Sequence, residues 1–152
     1  MQEITFYVTM DHIPHGKFMD HFNDYPDDGP LGLIVGIPIQ INLVLFKSRN
    51  SGTKPYPVPD EIVSWKFFAD NDFKRSTEPL ITVDSGIYTV ETTSQTKLVI
   101  PISDMSSERL LELLDTRGYL DGITGEVIGL DGLDDTVFVM QLDNIVIRNR
   151  IA

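Results

Sequence analysis

Three histidines, His12, His15 and His21, fall close together and are interleaved with Asp11, Asp20 and Asp24. Imidazole and carboxylate are donors that a divalent cation accepts, and imidazole is the side chain that titrates between about pH 5 and 8. Pro14 separates His12 from His15, the chain has no cysteine, and the stretch has no hydrophobic period. No regular element is therefore expected to fix these rings, and the spacing favours solvated or interface histidines with a pH-sensitive loop over a metal centre. A second acidic group, Asp131, Asp134 and Asp135, lacks the alternate-oxygen spacing and closing glutamate of a calcium loop and reads as a turn. Asp24, Asp27 and Asp28 read the same way beside Pro26, Gly29 and Pro30. No metal and no cofactor is expected.

Catalytic patterns are equally sparse. The chain has no G-x-S-x-G elbow, no P-loop, no dinucleotide glycine fingerprint and no H-E-x-x-H. A serine triad would have to take its histidine from the irregular stretch, and without cysteine there is no thiol nucleophile. The expectation is a protein that is not an enzyme. A carbohydrate-binding module is the alternative, because aromatic faces stack on pyranose rings. Of Tyr25, Tyr56 and Tyr119, the best placed is Tyr56 between Pro55 and Pro57, against the simpler reading that it packs on its own domain.

The elements that would position such residues are mostly extended. The 152 residues suit a single domain, 1–152, with one core. Lys plus Arg number 12 and Asp plus Glu 23, a formal charge of −11 that repels phosphate backbones and anionic lipid. Neither nucleic acid nor a membrane is expected as a partner; the one arginine cluster is Arg148 with Arg150. MQEITFYVTM carries no basic segment or long apolar core and is not expected to be a signal peptide.

Ile4, Phe6, Val8 and Met10 alternate with Thr5, Tyr7 and Thr9, and Ile37, Ile39, Ile41, Leu43 and Leu45 share one face of a second strand, in which Pro38 predicts an edge, a bulge or a strand start. Val63, Trp65, Phe67 and Ala69 share one face of a third strand, which puts the only tryptophan in the core. Residues 85–118 then read as strand, polar turn, strand and one short helix near 106–116, capped by Asp104 or Ser106 and stopped at Gly118. Phe138, Met140 and Leu142 are in phase, but Ile145 and Ile147 shift by one, which predicts a bulge at Asp143-Asn144 or a strand that changes sheet there. Gly122, Gly125 and Gly129 mark bulges or close backbone approach. With seven to nine strands and no helical crossover, the expected fold is all-β: an antiparallel β-sandwich, immunoglobulin-like or jelly-roll-like, with Greek-key connections.

Residues 11–30 are expected to be a long irregular insertion. Phe18, Met19, Phe22 and Tyr25 within it have little use in a solvated loop and are expected to dock on a partner. Arg148 and Arg150 at the end of the chain are assigned the same role.

The run IVSWKFFA, the G-I-Y-T-V hairpin ending in K-L-V-I-P-I, the short helix and the closing VFVMQLDNIVI together resemble the N-terminal domain of phage baseplate upper proteins and related tail or head fibre proteins. That resemblance covers about residues 33–150 and departs in the 11–30 insertion and in the lack of a fibre or stalk after the domain. It implies a structural virion protein of a tailed phage: an adaptor, anchor or decoration subunit, multi-copy or homo-oligomeric. Such a protein binds other virion proteins and resides in the particle, or otherwise in solution in the cytoplasm. It implies no catalytic residue.

Overall fold

A computed structural model describes residues 2–12, 15–19, 31–47, 54–71, 78–103 and 105–149. The fold is all-β, with one short helix among the described residues. Its elements are β1 (Gln2–His12), β2 (His15–Met19), β3 (Leu31–Ile34), β4 (Ile39–Phe46), β5 (Ser64–Asp70), β6 (Ile81–Val83), β7 (Tyr88–Glu91), β8 (Thr96–Ile102), α1 (Glu108–Arg117), β9 (Tyr119–Leu130) and β10 (Thr136–Arg148). Hydrogen bonds join them in the order β6-β5-β9-β10-β2-β1-β4-β8-β7, with β3 also on β10.

One apolar cluster collects Ile41, Leu43 and Ile100 from one wing of this path and Phe67, Val127 and Met140 from the other. The two wings therefore face each other, and β6 comes back within reach of β8. Trp65 lies in this core, its ring edge-on to Phe138 with centroids 5.3 Å apart. Among the described residues no buried side-chain nitrogen or oxygen lacks a hydrogen-bond partner.

Three expectations are corrected. Pairing is not purely antiparallel: β1 runs parallel to β4, and β10 runs parallel to β2 and β3. A parallel pair needs a long crossover, and among the described residues the connection from β1 to β4 contains two strands, β2 and β3. Residues 11–30 are not irregular throughout, because β1 continues to His12 and β2 pairs back on it. HGKFM shows no alternation, so its strand is set by the neighbour it meets and not by its own pattern. With β2 and β3 included, ten strands stand among the described residues.

The third correction is the helix cap. Ser107, not Asp104 or Ser106, caps α1: its Oγ accepts the Leu110 N–H at 3.2 Å and donates to the Leu80 carbonyl at 3.0 Å. Gly118 ends the helix at φ 79°, a left-handed conformation glycine adopts without penalty, and donates its N–H to Leu114 at 2.7 Å.

The predicted slip in β10 is present. Leu142 faces Gly125 but Ile145 faces Ile123, so β10 has one extra residue at Asp143-Asn144. Ile147 then faces Leu120, so β9 has one extra residue in turn, at Asp121-Gly122, where Gly122 has φ 64°. The first bulge also marks where β10 passes from β2, paired at Gln141, to β3, paired from Ile145.

Candidate protein-contact surfaces

Among the described residues, exposed large apolar side chains fall at three separated places on this body, apart from Leu111 on α1 at 38% exposure. The first is β7, the last strand of the path, one edge of which has no strand partner among the described residues. Tyr88 lies opposite Val99 and Val90 opposite Lys97. Partners in an antiparallel ladder share a face, so this face is the one turned away from core residues Leu98 and Ile100. Val99 is buried, whereas Tyr88 is 51% and Val90 40% exposed. An edge strand with a single charge, Glu91, and no proline is open to a further strand.

The second place is the turn between β9 and β10 with the segment leading into β5. The Asp131 Oδ1 accepts the N–H groups of Leu133 at 2.8 Å and Asp135 at 3.0 Å. The Asp131 N–H donates to the Asp135 carbonyl at 3.0 Å, and Asp134 takes φ 61°. That carboxylate is thus engaged by backbone, and the turn is a closed unit that lifts Leu133 out to 82% exposure. Beside it the Val63 N–H donates to the Leu130 carbonyl at 2.8 Å, leaving a side chain 68% exposed. Val63 was expected on the buried face with Trp65; β5 begins at Ser64, so the alternation does not reach it.

The third place is the other end of the same hairpin. Tyr119 and Arg148 are direct partners of the β9–β10 ladder. The next residues inward, Leu120 and Ile147, are buried, so Tyr119 and Arg148 point outward together, Tyr119 at 52% exposure. Arg117, in the last turn of α1, is exposed at the same end.

A buried ion pair ties the helix to the sheet. Asp70, 2% exposed, receives Arg109 Nη1 on both oxygens. The same nitrogen donates to the Glu78 carbonyl at 2.9 Å, and Nη2 to Asn71 Oδ1 at 2.9 Å, so one guanidinium ties the helix to β5 and to the approach to β6. Two open depressions lie beside β6, one of about 200 Å³ between Glu78–Thr82 and Ser106–Ser107, the other of about 430 Å³ between Thr82–Gly86, Pro101 and Ser103. Neither lining includes histidine.

Of the residues assigned from sequence, Arg148 is exposed at the third surface. The backbones of Phe18 and Met19 belong to β2, in register with Val8 and Tyr7. Phe22, Tyr25, His21 and Arg150 lie outside the described residues. His12 and His15 are register partners in the β1–β2 pair, and no group of three or more metal-ligating side chains occurs among the described residues. Tyr56 is tied into its own domain. Its N–H donates to Leu45 at 3.0 Å, its carbonyl accepts the Thr96 hydroxyl at 2.8 Å, and its ring centroid is 6.2 Å from that of Phe138. Burial pushes its phenol above the ordinary value of 10.0.

Sequence reasoning missed Val63, Tyr88, Val90 and Leu133 as surface residues; the usable signal was a lone leucine inside the polar turn DGLDD. Among the described residues no helix is long and apolar enough to cross a membrane. Comparison with protein-family models, with curated proteins and with solved structures found no match to this chain.

Proposed function

We propose that this protein is a non-enzymatic structural subunit of a tailed-phage virion, an adaptor, anchor or decoration domain whose work is to bind other protein subunits. The observation that carries the reading is the distribution of its exposed apolar side chains. Tyr88 with Val90, Val63 with Leu133, and Tyr119 stand at three separated places on one β body. Isolated surface leucines or tyrosines need no explanation, but aromatic and aliphatic groups paired at an open edge and at both ends of the longest hairpin suit a subunit with several neighbours. The family resemblance in the strand and hairpin motifs points to a virion as the setting.

The test is mass spectrometry of virions purified from cells producing the chain during infection. The chain at a fixed ratio to the major structural proteins supports the proposal. A chain left wholly in the particle-free fraction overturns it.

A further inference from the structure

We propose that copies of this chain join head to tail, the Asp131–Asp135 turn of one copy seating on the Arg117, Tyr119 and Arg148 end of the next. This rests on the multi-neighbour reading above and deepens it by naming one neighbour, a second copy.

The β9–β10 hairpin carries both surfaces, one at each end. With 12 residues in β9 the ends lie roughly 35–40 Å apart at about 3.3 Å per residue. At the turn end, Leu133 and Val63 are the two most exposed large apolar side chains among the described residues. Asp60, Glu61, Asp134 and Asp135 around them are exposed, and neither 59–64 nor 131–135 contains a cation. A surface of that kind fits an apolar face flanked by cations.

The chain itself provides one. Tyr119 and Arg148 stand side by side on the outward face, and Arg117 is two residues from Tyr119. Among the described residues neither arginine forms an ion pair; the ion pair there is Arg109 with Asp70. Asp115 and Asp121 are exposed at the same end and offset the two arginines, so that end is near neutral in a chain of net charge −11. Guanidinium groups match carboxylates in a two-bonded geometry, and a tyrosine ring gives the leucine a rigid apolar seat. The overall negative charge opposes association only weakly, because charges many ångströms apart are screened over about 8 Å at physiological salt while pairs in contact are not. The two surfaces differ, so the contact is head-to-tail and builds a ring if its rotation closes and a filament if it does not.

Sedimentation velocity of the full chain over a concentration series tests this. The wild type should show a ladder of species above the monomer. Arg117→Glu with Arg148→Glu, and separately Asp134→Lys with Asp135→Lys, should each give monomer alone and recover the ladder when mixed. Leu133→Ser, which leaves every charge in place, should also lose the larger species, and far-ultraviolet circular dichroism should match the wild type for all variants. A wild type that stays monomeric at every concentration, or an arginine pair variant that associates as the wild type does, overturns the inference. A monomeric wild type that is still found in virions overturns head-to-tail joining while leaving the structural role standing. Self-association by a chain absent from virions does the reverse.

Discussion

The Arg109 guanidinium reaches both carboxylate oxygens of Asp70, at 3.0 and 3.2 Å, through one nitrogen. Asp70 is almost wholly buried and Arg109 a quarter exposed. Desolvation of the carboxylate is offset by this contact and by the Asn71 N–H, which donates to Asp70 at 2.7 Å. Removing the arginine leaves a buried carboxylate without this counter-charge. Arg109→Met is expected to destabilise the fold by about 3 kcal/mol in urea unfolding. Arg109→Lys should recover only part of that, since a single ammonium cannot serve Asp70, Asn71 and the Glu78 carbonyl at once. Equal stability of Arg109→Met and wild type would refute the account.

Gly125 sits where β9 is pressed between two apolar side chains. A Cβ there would lie 2.8 Å from Phe67 Cε1 and 2.9 Å from Ile145 Cδ1, closer than such atoms approach. Gly125→Ala is expected to cost roughly 1–3 kcal/mol, and Phe67→Leu in the same chain should relieve part of it. Gly132, with nothing within 4 Å of its would-be Cβ, is the control: Gly132→Ala should shift stability by less than about 0.5 kcal/mol. Thermal unfolding of these three variants, with Phe67→Leu alone to close the cycle, would settle the coupling.

These two sites show which parts of the molecule sequence could disclose. Close approach at Gly125 and the slip at Asp143-Asn144 were legible because glycine and a one-residue phase shift each have few explanations. The strands of 39–46 and 96–102 were legible because their faces alternate. His15–Met19 was not, since its partners lie in β1 and β10 and nothing local requires an extended chain. Asp104, Ser106 and Ser107 are all competent caps, and the choice is made by the Leu80 carbonyl, 27 positions away. The exposed apolar groups were hidden for a related reason: whether Leu133 is core or surface depends on the turn that Asp131 closes, not on leucine itself.

Tyr56 offers a pH test. Burial raises its folded-state phenol above 10.0, so the neutral ring is favoured in the folded chain. Below pH 10 the group is neutral whether folded or unfolded, and its contribution is fully present. Above that the unfolded chain gives up its proton first, and stability falls until the folded phenol also ionises. Tyr56→Phe should therefore match the wild type near pH 7, keep the packing against Phe138, and lose part of the decline in stability above pH 10. Wild type and variant falling in parallel there would show that the ring is not desolvated. Retained affinity for a saccharide in the wild type, lost in Tyr56→Ala, would instead favour the carbohydrate-binding reading.

The paired bulges make the most demanding prediction. One extra residue at Asp143-Asn144 in β10 is answered by one at Asp121-Gly122 in β9, so the ladder has a single register on both sides of Ile145 and Ile123. Deleting Asn144 alone removes the first bulge: Asp143 then faces Thr124, and Ile145 still faces Ile123. Deleting Gly122 alone removes the second: Asp121 then faces Val146, and Ile147 still faces Leu120. Each single deletion therefore keeps Leu142, Ile145 and Ile147 on the core face and should leave the domain folded, at a cost of about 1–3 kcal/mol. The Asn144 deletion should be the costlier, because the first bulge also sets where β10 leaves β2 for β3. The double deletion should cost about the sum of the two. Circular dichroism melts of the three deletions read this directly. A single deletion that unfolds the domain, restored by the second, would mean that the two bulges are coupled and that β10 slides along β9 instead of closing each bulge in place.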